Sequence, residues 1–157
     1  DLHRGDRRQR QMCIRDSLRR AVGSGGNILG ELNGKIASMK IVLKDMPSEN
    51  IQLVKRINDV GIKLVKLAYE LYGDGTRSRR EFEVTPSIDG RVSDIEGSMW
   101  SVTSAPTQTF KNSYKIASDD FTTWLSSLKI VNSEIELIEK DLDANKAPHT
   151  PGRWPKW

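Results

Sequence analysis

The stretch that decides the fold runs from Phe110 to Leu142 and reads FKNSYKIASDDFTTWLSSLKIVNSEIELIEKDL. Apolar residues recur in it at alternating spacings of three and four, which is the stripe of one helix face. The members of the stripe are Phe110, Tyr114, Ala117, Phe121, Trp124, Leu128, Val131, Ile135, Ile138 and Leu142. Charged residues lie between them and predict a solvated opposite face. Because a stripe of this length needs partners of similar length, we predict that this helix is the spine of a bundle.

Two earlier stretches predict the partner helices. The first stripe comprises Leu29, Leu32, Ile36, Met39 and Leu43, and it ends at the break around Pro47. The second helix is predicted from Ser48 to Tyr72, where Gly73 stops it. Its stripe comprises Leu53, Ile57, Val60, Leu64, Leu67 and Leu71, and Val54, Val65 and Ala68 widen it. A short turn joins the two helices, so we expect them to form an antiparallel hairpin against the last helix.

A short helix is predicted between the second and the last. Thr85 or Ser87 is its expected cap, Pro86 lies near its start, and its apolar face is Ile88, Val92, Ile95 and Met99. Polar loops are expected on either side, at 76–85 and 98–109. No stretch alternates with period two for long enough to predict a sheet. The sequence therefore predicts an all-α, antiparallel helical bundle of three long helices and one short one, with its domain at 18–146.

The chain closes with a Pro-rich tail at 147–157, APHTPGRWPKW. Three Pro in eleven residues cannot continue a helix and favour an extended segment. Two of the four Trp of the chain, Trp154 and Trp157, lie in this tail. A flexible tail has little use for two Trp, so we expect at least one of them to pack against the bundle or a neighbouring domain.

Residues 1–17, DLHRGDRRQRQMCIRDS, differ in character from the rest of the chain. They hold five Arg and three Asp and show no period of 2 or 3.6. The wording resembles translated sequencing-adapter read-through, which predicts a non-native, disordered segment. The alternative is a native basic arm that binds an acidic partner. The one Cys of the chain, Cys13, lies within this segment.

Composition excludes several classes of function. The net charge of +4 over 157 residues is mild, unlike the basic stripe of a nucleic-acid-binding protein, so no nucleic-acid partner is predicted. No apolar run approaches the roughly 20 residues that cross a bilayer, so no membrane span is predicted. One Cys cannot form a disulfide framework.

No constellation of residues predicts catalysis, cofactor binding or metal binding. Asp119 and Asp120 are adjacent, so they diverge by about 100 degrees around a helix and are expected to be solvated. His149 has no His or Cys at metal-ligand spacing, and no base is evident for Ser101 or Ser104. The sequence therefore predicts no catalytic residues, no cofactor and no metal ligands, and a protein that is not an enzyme.

Two further motifs have both a functional and a structural interpretation. GSGGNILG at 23–30 has the glycine content of a phosphate loop but lacks the Lys-Ser/Thr that follows it, which favours a linker or a weak helix start. Arg77, Arg79 and Arg80 form a basic cluster that could bind an anion or an acidic partner. Glu81 and Glu83 balance the cluster and favour a solvated loop.

Several short segments together resemble the C-terminal region of bacterial sortilin-like proteins. These are large chains with Asp-box (BNR) repeat β-propellers, often labelled glycosyl hydrolase. The segments are Gly73-Asp74, Pro86-Ser87-Ile88 with Arg91-Val92, Trp100-Ser101, Thr103 to Thr109, and Ala147-Pro148 with Thr150 to Arg153. Their order and spacing agree across 18–157. His149 departs from the pattern, because the family commonly has an aromatic residue after Ala-Pro.

The resemblance implies a terminal fragment whose partner is the missing N-terminal β-propeller of the parent chain. It also implies a secreted or periplasmic location. Any glycosidase chemistry of the parent would lie on propeller loops, so no catalytic residue is carried over to this chain. We therefore expect a non-catalytic structural domain. The alternative is a module that binds another protein through its long amphipathic helices, suggested by the wide apolar face of the second helix.

Overall fold

The computed structural model describes the backbone of residues 2–44, 50–78, 85–100 and 107–154. The helices are α1 Leu2–Lys44, α2 Ile51–Tyr72, the single turn α3 Gly75–Ser78, α4 Ile88–Trp100 and α5 Gln108–Ala144. Within those four ranges there is no strand. The predicted all-α bundle of three long helices and a short one is confirmed.

Side-chain caps fix where three of the helices begin. The side-chain oxygen Oδ1 of Asn50 accepts a hydrogen bond from the backbone N–H of Leu53 at 3.1 Å, so α2 begins at Ile51 and not at Ser48. Ser87 caps α4 in the same way, as predicted, through the N–H of Gly90 at 3.1 Å. Thr107 caps α5 through the N–H of Phe110 at 3.4 Å. These bonds satisfy N–H groups that have no partner inside their own helix.

A left-handed glycine ends α2. Gly73 has a φ of 81°, and its N–H donates to the carbonyl of Tyr69 at 2.8 Å. A positive φ costs a glycine little and other residues much more, which is why the helix ends here as the sequence predicts.

The expectation that 23–26 is a linker or a weak helix start is wrong, because α1 runs through this segment without a break. Gly25 and Gly26 are buried, and their missing Cβ atoms make room for neighbours. The ring of Trp124 lies against Gly25, and the hydroxyl of Tyr72 lies where a Cβ of Gly26 would be. These glycines therefore allow close packing and are not there for flexibility.

The expectation of a disordered segment at 1–17 is also wrong for the backbone, because α1 already begins at Leu2. The segment has no Pro and is rich in Arg and Gln, which are good helix formers. Once a helix is nucleated, each further residue adds a hydrogen bond at low cost. The non-native origin of the segment stays a prediction.

The chain divides into two compact units, one comprising Asp1–Gly26 with Ala68–Leu125 and the other Asn27–Leu67 with Ser126–Trp157. The apolar core of the first unit consists of Leu18, Val22, Leu71, Ile88, Val92, Ile95, Ala117, Phe121 and Trp124. The core of the second consists of Leu29, Leu32, Ile36, Met39, Val42, Leu53, Ile57, Val60, Leu64, Leu67, Leu128, Val131, Ile135, Ile138 and Leu142. Nearly every predicted stripe residue is in one of these cores.

A few stripe residues are placed differently. Val42 is buried where Leu43 was predicted, and Leu43 is only half-buried. Val54 and Val65, which were predicted to widen the buried face of α2, are 36% and 51% exposed. Phe110 is half-buried, close to the start of α5. The extra apolar width of α2 is therefore directed to solvent and not to the core.

Ion pairs in the second unit show the direction of the helices. Arg56 pairs with Asp141. Two helix turns further along α2, Lys63 binds Glu134 at 2.7 Å. As α2 advances, its partners on α5 therefore recede, so the two helices are antiparallel. Lys35 of α1 binds Glu139 of α5 at 3.0 Å, which ties the third long helix to the same core.

Candidate functional site

A concave surface, a groove, lies between α1 and α2 in the second unit. Its volume is about 510 Å³, and its walls include Ile36, Ala37 and Lys40 from α1 with Gly61, Ile62 and Val65 from α2. Each helix contributes residues spaced by three or four, so the lining residues of each helix share one face. The sequence pattern explains the groove. Val65 belongs to the wide apolar face of α2, and it lies outside the core and lines the groove.

The groove is apolar and open to solvent. Ile62 is 69% exposed and Val65 51% exposed, whereas Ile36 is buried at the floor with 4% exposure. Gly61 has no side chain, and the nearest atoms to a Cβ added to it would be Lys40 Nζ at 3.4 Å, Ile36 Cγ2 at 3.7 Å and Lys40 Cε at 3.9 Å. The lining therefore offers aliphatic surface together with two amides, Asn33 and Asn58, and one cation, Lys40.

No group of titratable residues converges on this groove. Lys40 is the one ionisable side chain of its lining, and neither wall supplies a carboxylate, His or Cys. General acid–base or nucleophilic chemistry needs at least two such groups in mutual reach. The arrangement is suited to binding an apolar surface.

The acidic pair that the sequence singled out lies on the surface, as predicted. Asp119 and Asp120 are both exposed on α5. His149 is exposed in the tail. Within the part of the chain that the structure describes, no three His, Cys, Asp or Glu residues lie close enough to hold a metal ion. In that same part, none of the helices combines the length and the hydropathy that a bilayer crossing needs.

The basic cluster and the two serines fall mostly outside the described residues. Arg77 lies on the single turn α3, so part of the predicted loop is helical. This turn forms because Oδ1 of Asp74 accepts hydrogen bonds from the N–H and the hydroxyl of Thr76, at 2.9 and 2.6 Å. Arg79, Arg80, Ser101 and Ser104 are not among the described residues.

The C-terminal tail is held in a way that the sequence did not predict. Trp154 is 90% exposed and so does not pack against the bundle, whereas Trp157 lies outside the described residues. Packing of Trp157, or of either Trp against a neighbouring domain, stays a prediction. Thr150 is instead 1% exposed, and the Arg153 guanidinium pairs with Asp143. The short side chain of Thr150 is buried in the turn, and the arginine supplies a charge-assisted bond to α5.

Hydrogen bonds fold the tail into a turn. The N–H of Arg153 donates to the carbonyl of Thr150 at 3.2 Å, and its Nη1 donates to the carbonyl of Pro148 at 3.0 Å. Gly152 has a φ of 89° and lies against the side chain of Lys35. The helix ends before the Pro-rich segment, as predicted. The extended course predicted for the tail is wrong for residues 150–153, because these hydrogen bonds fold them into a turn.

Several residues of the short segments compared in the sequence analysis have structural roles in this fold. Gly73 ends α2, Ser87 begins α4, Thr107 begins α5, and Thr150 and Arg153 hold the tail. Their roles explain why residues of these types stand at helix boundaries.

Comparisons with models of protein families, with curated proteins and with solved structures found no match to this chain.

Proposed function

We propose that this chain is a non-catalytic structural domain at the C-terminal end of a secreted sortilin-like β-propeller protein. The observation that carries the proposal is the placement of the resembling residues: Gly73, Ser87, Thr107 and Arg153 each fix a helix end or the tail. Residues that fix helix ends and hold the tail support a structural role for the domain, and they carry no chemistry in this proposal.

Close packing of the long helices supports a scaffolding role. Trp124 is 2% exposed and stacks on Phe121, with ring centroids 5.6 Å apart. A scaffold of this kind presents a fixed surface to a neighbouring domain, which in this proposal is the propeller of the parent chain. In the proposal the parent is secreted or periplasmic.

The experiment that tests the proposal is recovery of the genomic sequence upstream of Leu18. We expect Asp-box repeats and a signal peptide to be encoded in frame before this domain. Another kind of domain in that position would overturn the proposal. As a second test, the full chain is incubated with fluorogenic glycosides; we expect no hydrolysis, and turnover that follows the purified chain would contradict a non-catalytic role.

A second candidate function is a protein-interaction module. It is favoured by one observation, the exposed aliphatic groove between α1 and α2, since contiguous exposed apolar surface marks interaction sites. Co-purification of a defined partner that is lost on changing Ile62 to Asp would support it. Retention of that partner by the variant would assign the binding to another surface.

A further inference from the structure

We propose that the groove between α1 and α2 binds an amphipathic helix of another protein, and that this helix carries acidic residues beside its apolar face. This inference rests on the second of the two proposed functions and names its partner by chemistry. It does not depend on whether a propeller precedes the chain.

Aliphatic side chains in the groove and beside it are exposed to solvent. Ile62 and Val65 of α2 are 69% and 51% exposed, and Ile41 of α1 is 62% exposed. Ile41 follows Ala37 by one turn and lies on the same helix face. Ile62 and Val65 in the groove and Ile41 beside it therefore leave apolar surface, and its burial under a helix would favour binding.

The shape of the groove favours a helix as the occupant. Two antiparallel helices leave a furrow between them, into which the apolar ridge of a third helix packs. Gly61 allows α1 and α2 to approach closely, since the position of its absent Cβ lies 3.4 Å from Lys40 Nζ and 3.7 Å from Ile36 Cγ2. The Lys40 ammonium therefore lies against α2, where a helix in the furrow would meet it.

A cation beside the groove indicates that the partner helix is acidic. The ammonium of Lys40 lies near Gly61 at the groove, and among the described residues no carboxylate pairs with it. Two other lysines of α1 and α2 are paired within the chain: Lys35 with Glu139, and Lys63 with Glu134. Lys44, one turn beyond Lys40, is also exposed and basic.

A carboxylate on the incoming helix would complete this arrangement. An ion pair at the edge of an apolar contact is partly shielded from solvent and adds specificity to the binding. An apolar helix with basic residues would instead place like charges beside Lys40 and Lys44. The two observations together, an uncovered aliphatic groove and a cation beside it, define one class of partner.

The test uses the full chain as bait for a displayed library of helical 20-residue peptides with randomised surface positions. We expect enrichment of peptides with apolar residues at i, i+3 or i+4, and i+7, flanked by Asp or Glu. Ile62→Asp should weaken the best peptide by at least about tenfold. Ile130→Asp is the matched control, since Ile130 on α5 is 62% exposed, and it should leave binding unchanged.

Charge is tested separately with Lys40→Glu, which should weaken an enriched acidic peptide by about three- to tenfold. The corresponding peptide with Lys in place of its acidic residues should then bind Lys40→Glu better than the original chain. Lys129→Glu on α5 is the control of equal charge change. Circular dichroism of each variant shows that the fold is retained.

Three results would overturn the inference. The first is no enrichment, or enrichment of peptides indifferent to Ile62→Asp. The second is a dimer, detected by sedimentation, that Ile62→Asp dissociates, which would assign the groove to a second copy. The third is sedimentation of the chain with anionic phosphatidylglycerol vesicles that depends on Ile62 and Lys40. None of these results bears on the upstream sequence, so failure here and failure of the structural-domain proposal are distinguishable.

Discussion

Trp124 packs against the main chain of Gly25 so closely that an added Cβ atom would lie 2.8 Å from Cζ3 of the indole. The same Cβ would lie 3.3 Å from Cε2 of Phe121, whose ring stacks on the indole. Both rings are buried, since Trp124 and Phe121 are 2% and 6% exposed. The contact between α1 and α5 in the first unit therefore depends on a residue without a side chain.

We expect Gly25→Ala to lower the free energy of unfolding by about 1–3 kcal/mol through overpacking. This loss would outweigh the gain of up to about 1 kcal/mol that Ala brings to a helix interior. Gly30→Ala is the control, because a Cβ at Gly30 meets no atom within 4 Å, and it should stabilise by about 0.5–1 kcal/mol. Urea denaturation measures both, and shifts of the same sign would contradict the packing account.

Trp124→Phe should relieve the clash at residue 25, because the smaller ring lacks the indole atoms that meet the added methyl group. On its own this change leaves a cavity and destabilises, by less than the 3–5 kcal/mol typical of Trp→Ala. In a double-mutant cycle, we expect Gly25→Ala to cost at least about 1 kcal/mol less in the Trp124→Phe background. Additive effects would mean that the two positions do not interact.

The two Lys–Glu pairs of the second unit should differ in strength because they differ in exposure. Lys35 and Glu139 are 27% and 17% exposed, against 50% and 34% for Lys63 and Glu134. Lys35→Met should therefore destabilise by about 1–2 kcal/mol and Lys63→Met by less than about 0.5 kcal/mol. In 0.5 M NaCl the smaller effect should vanish and most of the larger one should persist. Chemical denaturation at two salt concentrations checks this order.

Removing the arginine of the tail should release the turn from the second unit. The Arg153 side chain is 6% exposed and bonds to Asp143 and to the carbonyl of Pro148, so Arg153→Ala should cost about 2 kcal/mol. Hydrogen exchange of 147–154 should become faster, as mass spectrometry would detect. Arg56→Ala is the control, since its pair with Asp141 is about half exposed and lies outside the tail. Unchanged exchange in Arg153→Ala would show that Thr150 alone holds the turn.

Tyr114 should titrate above the ordinary value of a phenol. Desolvation by burial raises the pKa of Tyr114 above 10.0, because burial disfavours the phenolate. The unfolded chain loses this proton first, so the phenol makes the fold less stable as pH rises above about 10 and has no effect below. Absorbance at 295 nm, as the difference between the original chain and Tyr114→Phe, should give a midpoint above 10.0. A midpoint at or below that value would contradict burial of the phenol.

The buried faces of the helices could be predicted from the sequence, because burial on a helix follows a period of 3.6 residues. Trp124, Ile135 and Leu142 are buried as the spacing indicates. Cap residues have equally local signals, and Ser87 was predicted from its position before an apolar run. Asn50 carried the same signal, but Pro47 and Ser48 stand before it and offered an earlier start.

Contacts between distant residues could not be predicted in the same way. Gly25 and Gly26 have the local signal of a linker, and only the position of Trp124 and Tyr72 shows why they are small. The groove could not be predicted for the same reason. The sequence shows that Val65 is apolar, but it does not show whether Val65 faces the core or solvent. Apolar periodicity does not predict the helical backbone of 2–17. This segment has no apolar stripe and continues a helix whose later residues are packed in the core.

The positions of the ion pairs along the chain also set an order of folding. Ile36 and Gly61 come together across a short connection, whereas the pairs of α5 with α2 and α1 join residues 71, 85 and 104 positions apart. Closing a longer loop costs more conformational entropy, and contacts between residues close in sequence form faster. We therefore expect the α1–α2 hairpin to form early and α5 to dock late. During that interval the apolar stripe of the hairpin that α5 later covers would be exposed, which makes the newly made chain most prone to association before its last helix is complete.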